Sequence, residues 1–178
     1  MDAFEQLVAD IFRAKGYWVH QGYKVELSAG QKRALGNPSM PRPEIDLVAY
    51  RPGAGELLAL ECKSYFDSGG VHARDFESDA RGSGRYKMFT RPELREAVLG
   101  SLVDQLVEAK AVAGSPAPLL GLVFGHATAG NQAQLEARFA EAGWQLYGPA
   151  WVCGELRTMA GQSYDNKVAA MVAKLLLR

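Results

Sequence analysis

The sequence predicts an α/β domain with a mixed β-sheet flanked by helices. Three observations support this expectation: an amphipathic helical period opens the chain, strand-length apolar runs occupy its middle, and helical periods separate and follow those runs. The resulting order is α-β-β-β-α-β with a C-terminal α-β-α extension. Because 178 residues is a usual size for one domain, and no repeat, linker or low-complexity stretch is found, we expect a single domain over residues 1–178.

The composition excludes several classes of protein. Apolar residues make up 48% of the chain and charged residues 22%, which is typical of folded proteins rather than disordered, collagenous or coiled-coil ones. No apolar run approaches the ~20 residues that cross a bilayer, and the N-terminus has no pattern of an export signal. Two cysteines are too few for a disulfide framework. We therefore expect free thiols, no membrane partner and a cytoplasmic location.

The first elements are predicted from residues 2–43. Apolar residues recur at three- and four-residue spacing over residues 2–15, which indicates a helix with Asp2 as its N-cap and Gly16 at its end. Residues 17–27 are rich in aromatic residues and valine, which suit a strand. Residues 28–43 are polar and contain three prolines and two glycines, so they are predicted to form a loop.

Two apolar runs form the centre of the predicted sheet. Residues 44–50 and 56–64 have strand composition and are joined by Arg-Pro-Gly-Ala-Gly, whose proline and glycines suit a hairpin turn. We therefore expect adjacent antiparallel strands. Residues 65–90 are polar and rich in glycine without a convincing period, which predicts either a mobile flap or an insertion.

The C-terminal half is predicted to alternate helices and strands. Thr90 is the expected N-cap of a helix with an early Pro92 and a capping-box Glu93, and this helix continues to about Gly114. The remaining predicted elements are a strand over residues 119–124, a helix over 131–142, a strand over 144–147 and a last helix over 163–177.

Three charged residues interrupt the two central strands. Side chains alternate along a strand, so Glu61 and Lys63 share one face, and pairing through the turn brings Asp46 opposite the Glu61 region. Buried charges are costly unless they are paired or bind a metal. Carboxylates suit Mg²⁺ or Mn²⁺, which promote phosphodiester hydrolysis by generating hydroxide, while a lysine orients the attacking water or stabilises negative charge. The alternative is a surface Glu61–Lys63 pair with Asp46 capping a loop.

These residues also resemble the motif of a known superfamily. Pro43-Glu-Ile-Asp46, fourteen further residues and then Glu61-Cys-Lys63 resemble the PD-(D/E)xK nucleases, whose restriction-endonuclease-like core has the order α-β-β-β-α-β. The resemblance covers roughly two-thirds of the chain. It implies a Mg²⁺-dependent endonuclease in which Asp46 and Glu61 bind the metal and Lys63 is the catalytic lysine. Two residues separate Pro43 from Asp46, and the segment between Lys63 and Thr90 matches nothing in the family pattern.

The resemblance implies two further site residues. Many members complete the metal site with an acidic residue on the first helix, where Glu5 is the matching candidate. Some branches use a glutamine on the helix after the third strand, where Gln105 lies. Each residue has a structural alternative, because Glu5 can form a capping box with Asp2 and Gln105 can hydrogen-bond a backbone carbonyl.

Two basic segments flank the charged strands and are predicted to contact phosphates. Residues 80–95 contain five basic residues and one acidic residue, with aromatic residues interleaved, and a second basic loop precedes Asp46. The predicted nucleic-acid contacts are Lys32, Arg33, Arg42, Arg81, Arg85, Lys87 and Arg91. The alternative is ordinary solvated surface, since the whole chain carries 20 basic and 20 acidic residues and lacks the field of a non-specific nucleic-acid binder.

The sequence thus predicts a metal-dependent nuclease that acts on DNA, with RNA and the strand form of the substrate left open. Two alternatives stand beside it. One is a catalytically inactive member of the same fold that binds nucleic acid or protein. The other is the nuclease subunit of a larger complex. The apolar last helix suits a homodimer interface or the core equally well.

Overall fold

The computed structural model describes residues 2–77, 83–162 and 167–177, and within them five strands pair side by side in chain order. β1, β2 and β3 are antiparallel neighbours, whereas β3, β4 and β5 run parallel. The expected mixed sheet is confirmed. The strands are β1 (Trp18–Lys24), β2 (Glu44–Arg51), β3 (Glu56–Lys63), β4 (Pro118–Phe124) and β5 (Gln145–Tyr147).

Helices connect and cover these strands. They are α1 (Ala3–Ala14), α2 (Ala29–Ala34), α3 (Lys87–Thr90), α4 (Pro92–Glu108), α5 (Ala129–Ala142), α6 (Pro149–Gly161) and α7 (Val168–Leu177). α1 begins as predicted, because the Asp2 carboxylate accepts the Phe4 N–H at 2.9 Å and Glu5 completes a capping box. No helix in the described part of the chain has the length and apolar character needed to cross a membrane.

The central strands are apolar on both faces because helices cover both. Alternate residues of β2 and β3 pack with α1, α6 and α7 on one face, and these are Leu47, Ala49, Leu58 and Leu60. The residues between them pack with α4 on the opposite face, and these are Val48, Tyr50, Leu57 and Ala59. A third apolar cluster joins β4 to α5 through Leu122, Phe124, Leu135 and Phe139.

The pairing of β2 with β3 sets the positions of the charged residues. Leu47 lies opposite Leu60, so Asp46 and Glu61 are the next positions along their strands. On its other side β3 pairs with β4, where Lys63 lies opposite Phe124. The carboxyl ends of the parallel strands β3 and β4 therefore meet at the same edge of the sheet as the start of β2.

The predicted loop over residues 28–43 contains the short helix α2, which the sequence analysis missed. Ser28 caps this helix by accepting the Gln31 N–H at 3.2 Å, and the Gln31 side chain accepts the Ser28 N–H at 2.8 Å. None of its residues is fully buried. A capped helix of six residues without an apolar face leaves no period to detect.

The described part of the connection from β3 to α4 packs against the sheet, which favours the insertion over the mobile flap, the two alternatives for residues 65–90. Phe76, Tyr86 and Phe89 are buried there. The ring centroids of Phe76 and Tyr86 are 4.3 Å apart, and those of Phe76 and Phe89 are 5.3 Å apart. These aromatic residues are irregularly spaced along the chain, so no periodic pattern predicted their packing.

Several helices of the C-terminal half differ from the prediction. Thr90 ends α3, and Arg91 is the N-cap of α4 without a side-chain hydrogen bond, so the expected Thr90–Glu93 capping box is absent. α4 ends at Glu108 rather than near Gly114. α6 was not predicted at all. The last helix begins at Val168 rather than residue 163, and residues 163–166 of its predicted range lie outside the described residues.

Candidate active site

Asp46, Glu61 and Lys63 converge at the edge of the sheet where β3 ends. The backbone N–H of Cys62 donates to the Asp46 carboxylate, with 2.8 Å between nitrogen and Oδ2. This bond lies just beyond the last β2–β3 pair, which is Leu47 with Leu60. The Asp46 side chain is fixed toward β3 by this bond, so the alternative in which Asp46 caps a loop does not describe the structure.

The Lys63 ammonium lies between the two carboxylates. Its Nζ atom is 2.5 Å from Glu61 Oε1 and 3.7 Å from Asp46 Oδ2. The exposed fractions of the Lys63, Asp46 and Glu61 side chains are 21%, 19% and 18%. The predicted alternative of a solvated surface pair is therefore wrong, since about four-fifths of each side chain is removed from water and the charges interact in a lowered dielectric.

The electrostatics of this group are set by burial and by mutual repulsion. Burial raises the pKa of Glu61 from its ordinary value of 4.5 to about 7, and the Asp46 charge adds to the rise although Lys63 opposes it. Burial alone would lower the pKa of Lys63, but the charge and hydrogen bond of Glu61 and the charge of Asp46 raise it overall. The two neighbouring carboxylates thus strongly favour the positively charged form of Lys63.

Glu5 lies in the first turn of α1 and forms the capping box with Asp2 that was the alternative to its metal-binding role. Its Oε2 atom accepts the Asp2 N–H at 3.4 Å. Its charge also contributes a small part of the rise in the Glu61 pKa. Among the residues that the structure describes, no three His, Cys, Asp or Glu side chains lie close enough together to hold a metal. Glu5 is therefore not gathered with Asp46 and Glu61 into a three-carboxylate cluster.

Gln105 on α4 is engaged with the backbone of Glu26. Its amide nitrogen donates to the Glu26 carbonyl at 2.9 Å, and its amide oxygen accepts the Glu26 N–H at 3.1 Å. This double hydrogen bond corresponds to the structural alternative considered for Gln105, and it fixes the chain after β1 against α4. The catalytic role of Gln105 remains a prediction from the resemblance.

The basic residues differ in how far they are available to a ligand. Arg33, Arg85, Lys87 and Arg91 are exposed, Lys32 is half-buried on α2, and Arg81 lies outside the described residues. Arg42 is exposed but forms an ion pair with Glu26, at 2.8 Å between Nη1 and Oε1. Arg95, in the same basic segment, donates to the Met88 and Phe89 carbonyls and lies over the Trp144 ring. Arg95 thus helps to pack α3 against α4.

Two tyrosines lie beside the charged group. The sequence did not single out Tyr65, whereas Tyr86 is one of the aromatic residues interleaved in the predicted phosphate-contacting segment and is buried. Tyr65 follows Lys63 by two residues and adopts a left-handed backbone conformation with φ of 48°. The Tyr86 hydroxyl is buried without a hydrogen-bond partner of good geometry among the described residues. Burial, Tyr65, Asp75 and Glu61 all raise its pKa. Strand alternation from Lys63 was the signal that could have drawn attention to Tyr65.

Comparisons with known proteins give one weak likeness. No protein-family model matches the chain, and no solved structure matches it. A cysteine–tRNA ligase of Rhodospirillum rubrum is 29% identical over 174 residues. The match covers 90% of this chain but 36% of the ligase, so the chain spans little more than a third of that relative's length.

Proposed function

We propose that this protein is a metal-dependent nuclease that hydrolyses phosphodiester bonds of DNA. The observation that supports the proposal is the convergence of Asp46, Glu61 and Lys63, three charged side chains that are mostly buried at one edge of the sheet. The order α1-β1-β2-β3-α4-β4 also agrees with the order of the PD-(D/E)xK core, apart from the short helices α2 and α3. We therefore propose the restriction-endonuclease-like topology as well.

The donor set suits Mg²⁺ or Mn²⁺. Mg²⁺ is commonly held by one or two carboxylates, with waters and substrate phosphate completing its coordination, so a third protein carboxylate is not required. In this proposal Asp46 and Glu61 hold the cation, and Glu5 contributes only the negative charge through which it already acts on Glu61. A bound cation would oppose the repulsion between Asp46 and Glu61 that raises the Glu61 pKa. When bound, it supplies Lewis acidity and an activated water.

The remaining roles belong to the chain itself. The Lys63 ammonium, steered by Glu61, orients the attacking water and stabilises the negative charge that develops on the phosphoryl oxygens. Asp46 keeps its position through the Cys62 N–H. The basic residues Lys32, Arg33, Arg42, Arg81, Arg85, Lys87 and Arg91 bind the phosphate backbone in this proposal. We place the activity in the cytoplasm, where free Cys62 and Cys153 remain reduced.

The likeness to the ligase favours two variants of this function. Since that relative's name specifies tRNA, RNA is the second candidate substrate. Since the match covers 36% of the ligase, the chain is similar to one part of a longer protein. The second candidate is therefore a nuclease subunit that acts within a larger complex.

A homodimer is the alternative assembly for a nuclease that cuts both strands of a duplex.

The test of the proposal is cleavage of a substrate panel. Duplex, single-stranded, nicked and branched DNA and a structured RNA are incubated with Mg²⁺ and the parent protein or the Asp46→Ala variant. We expect the parent to cut at least one DNA substrate and the variant to be slower by at least about 10²-fold. If the parent cuts only the RNA, RNA replaces DNA as the proposed substrate. If the parent cuts no substrate of the panel, the nuclease function is refuted.

A further inference from the structure

One exposed aromatic residue lies directly beside the proposed active site. Phe66 follows Lys63 by three residues, so the two Cα atoms are at most about 11 Å apart. Its side chain is 62% exposed. A single exposed apolar side chain is ordinary on a protein surface, so exposure alone does not indicate a role for Phe66.

The Phe66 ring rests on a glycine at the end of β4. A Cβ atom added to Gly125 would lie 2.5 Å from Cε1 and 2.7 Å from Cζ of this ring, and closer still to the Ser64 carbonyl oxygen. Any residue larger than glycine would thus displace the ring or the backbone. The Gly125 N–H in turn donates to the Lys63 carbonyl at 2.9 Å. The Phe66 ring therefore packs against Gly125, whose backbone is hydrogen-bonded to the backbone of Lys63.

Two neighbours further fix the position of Phe66. The Phe4 ring of α1 packs edge-on against it, with centroids 5.6 Å apart and planes at 85°. The preceding residue, Tyr65, has a φ of 48°, a conformation that is unfavourable for a bulky residue. Strained backbone of this kind is concentrated at functional sites. Phe66 is therefore an aromatic ring that is anchored along part of its surface and open to solvent over most of the rest.

We propose that Phe66 is a stacking platform for an unpaired nucleobase next to the phosphate bound at Asp46, Glu61 and Lys63. The inference rests on the proposed nuclease function, since any such substrate carries bases on both sides of its reacting phosphate. Bases of an intact duplex have their faces covered by neighbouring pairs. Stacking on Phe66 therefore requires a single strand, a loop, an end or a base turned out of the helix.

The test separates base stacking from phosphate binding. A short fluorescent oligothymidine strand and an abasic strand of equal length are titrated with protein in EDTA, which prevents cleavage, and binding is measured by anisotropy. An oligouridine strand forms the RNA arm. The variants are Phe66→Ala, Phe66→Tyr and, as a matched control, Trp18→Ala, because Trp18 is 67% exposed at the other end of the sheet, opposite Tyr50.

Stacking on one aromatic ring predicts a defined pattern of dissociation constants. Phe66→Ala weakens binding of the oligothymidine or oligouridine strand by at least about fivefold and leaves abasic-strand binding unchanged, while Phe66→Tyr and Trp18→Ala resemble the parent. Thermal unfolding checks that each variant is folded. Equal binding by Phe66→Ala and the parent, equal weakening on base-containing and abasic strands, or no binding by the parent overturns the inference.

Failure of this inference and failure of the proposed function give different results. A parent that cuts DNA with Mg²⁺ while Phe66→Ala binds strands normally refutes the platform and keeps the nuclease. If the parent cuts nothing, but the Phe66→Ala variant loses base-dependent binding, the nuclease is refuted. Phe66 then remains a stacking platform on a nucleic-acid-binding module.

Discussion

Replacement of Lys63 by methionine is expected to lower the rate of phosphodiester cleavage by at least about 10²-fold. Methionine keeps most of the side-chain length but removes the ammonium that lies 2.5 Å from Glu61 Oε1. The variant loses the group that orients water and stabilises charge, whereas both carboxylates remain. Single-turnover rates on the substrate cut best by the parent, with Mg²⁺ in excess, measure the effect.

The matched control for Lys63→Met is Lys15→Met. Lys15 also forms a short ion pair, with 2.6 Å between Nζ and Glu155 Oε1, but it lies at the C-terminal end of α1. We expect the cleavage rate of Lys15→Met to stay within about threefold of the parent, because Lys15 has no role in the proposed reaction and a partly exposed ion pair contributes little to stability. A Lys63→Met protein that is folded and cuts as fast as Lys15→Met would exclude Lys63 from the reaction.

Replacement of Phe76 by alanine is expected to reduce the free energy of unfolding by about 3–5 kcal/mol. Phe76 is 1% exposed and contacts Tyr86, Phe89 and Phe139, with ring centroids 4.3 to 5.3 Å away. The substitution leaves a cavity among rings that hold the β3–α4 connection on the sheet. Urea unfolding followed by circular dichroism gives the free energy.

Phe66→Ala is the matched control for this loss, because it makes the same substitution in the same connection at a 62% exposed position. We expect it to cost less than about half as much. If Phe76→Ala changed the free energy of unfolding by under about 1 kcal/mol, the connection would not be packed as the structure has it.

The site could be predicted from the sequence to the extent that local rules determine it. Strand alternation places Glu61 and Lys63 on one face, and a short turn with proline and glycine fixes the register that brings Asp46 to them. Both rules act over a few residues. The structure agrees, with Leu47 opposite Leu60 and Lys63 between the carboxylates.

The rest of the surroundings depend on contacts between distant segments. Phe66 meets Phe4 and Gly125, and Tyr86 stacks on Phe76, yet none of these pairs shares a helix or strand. Gln105 shows the same limit, since its sequence position fits a catalytic glutamine while its amide binds the Glu26 backbone. α2 and α6 were missed because neither presents the strong apolar stripe that predicted α1, which buries Phe4, Val8, Ile11 and Phe12.

In the proposed function, Asp46 and Glu61 hold the divalent cation used for hydrolysis. The most direct measurement is the initial cleavage rate of chelator-treated protein as Mn²⁺ is added back, for the parent and Asp46→Asn. We expect no cleavage without metal and a rate for the parent that rises with Mn²⁺ and saturates. The saturating rate of Asp46→Asn is expected to be at least about 10²-fold lower than that of the parent. Cleavage that persists in EDTA, or superimposable Mn²⁺ curves for the two proteins, would contradict the proposed function.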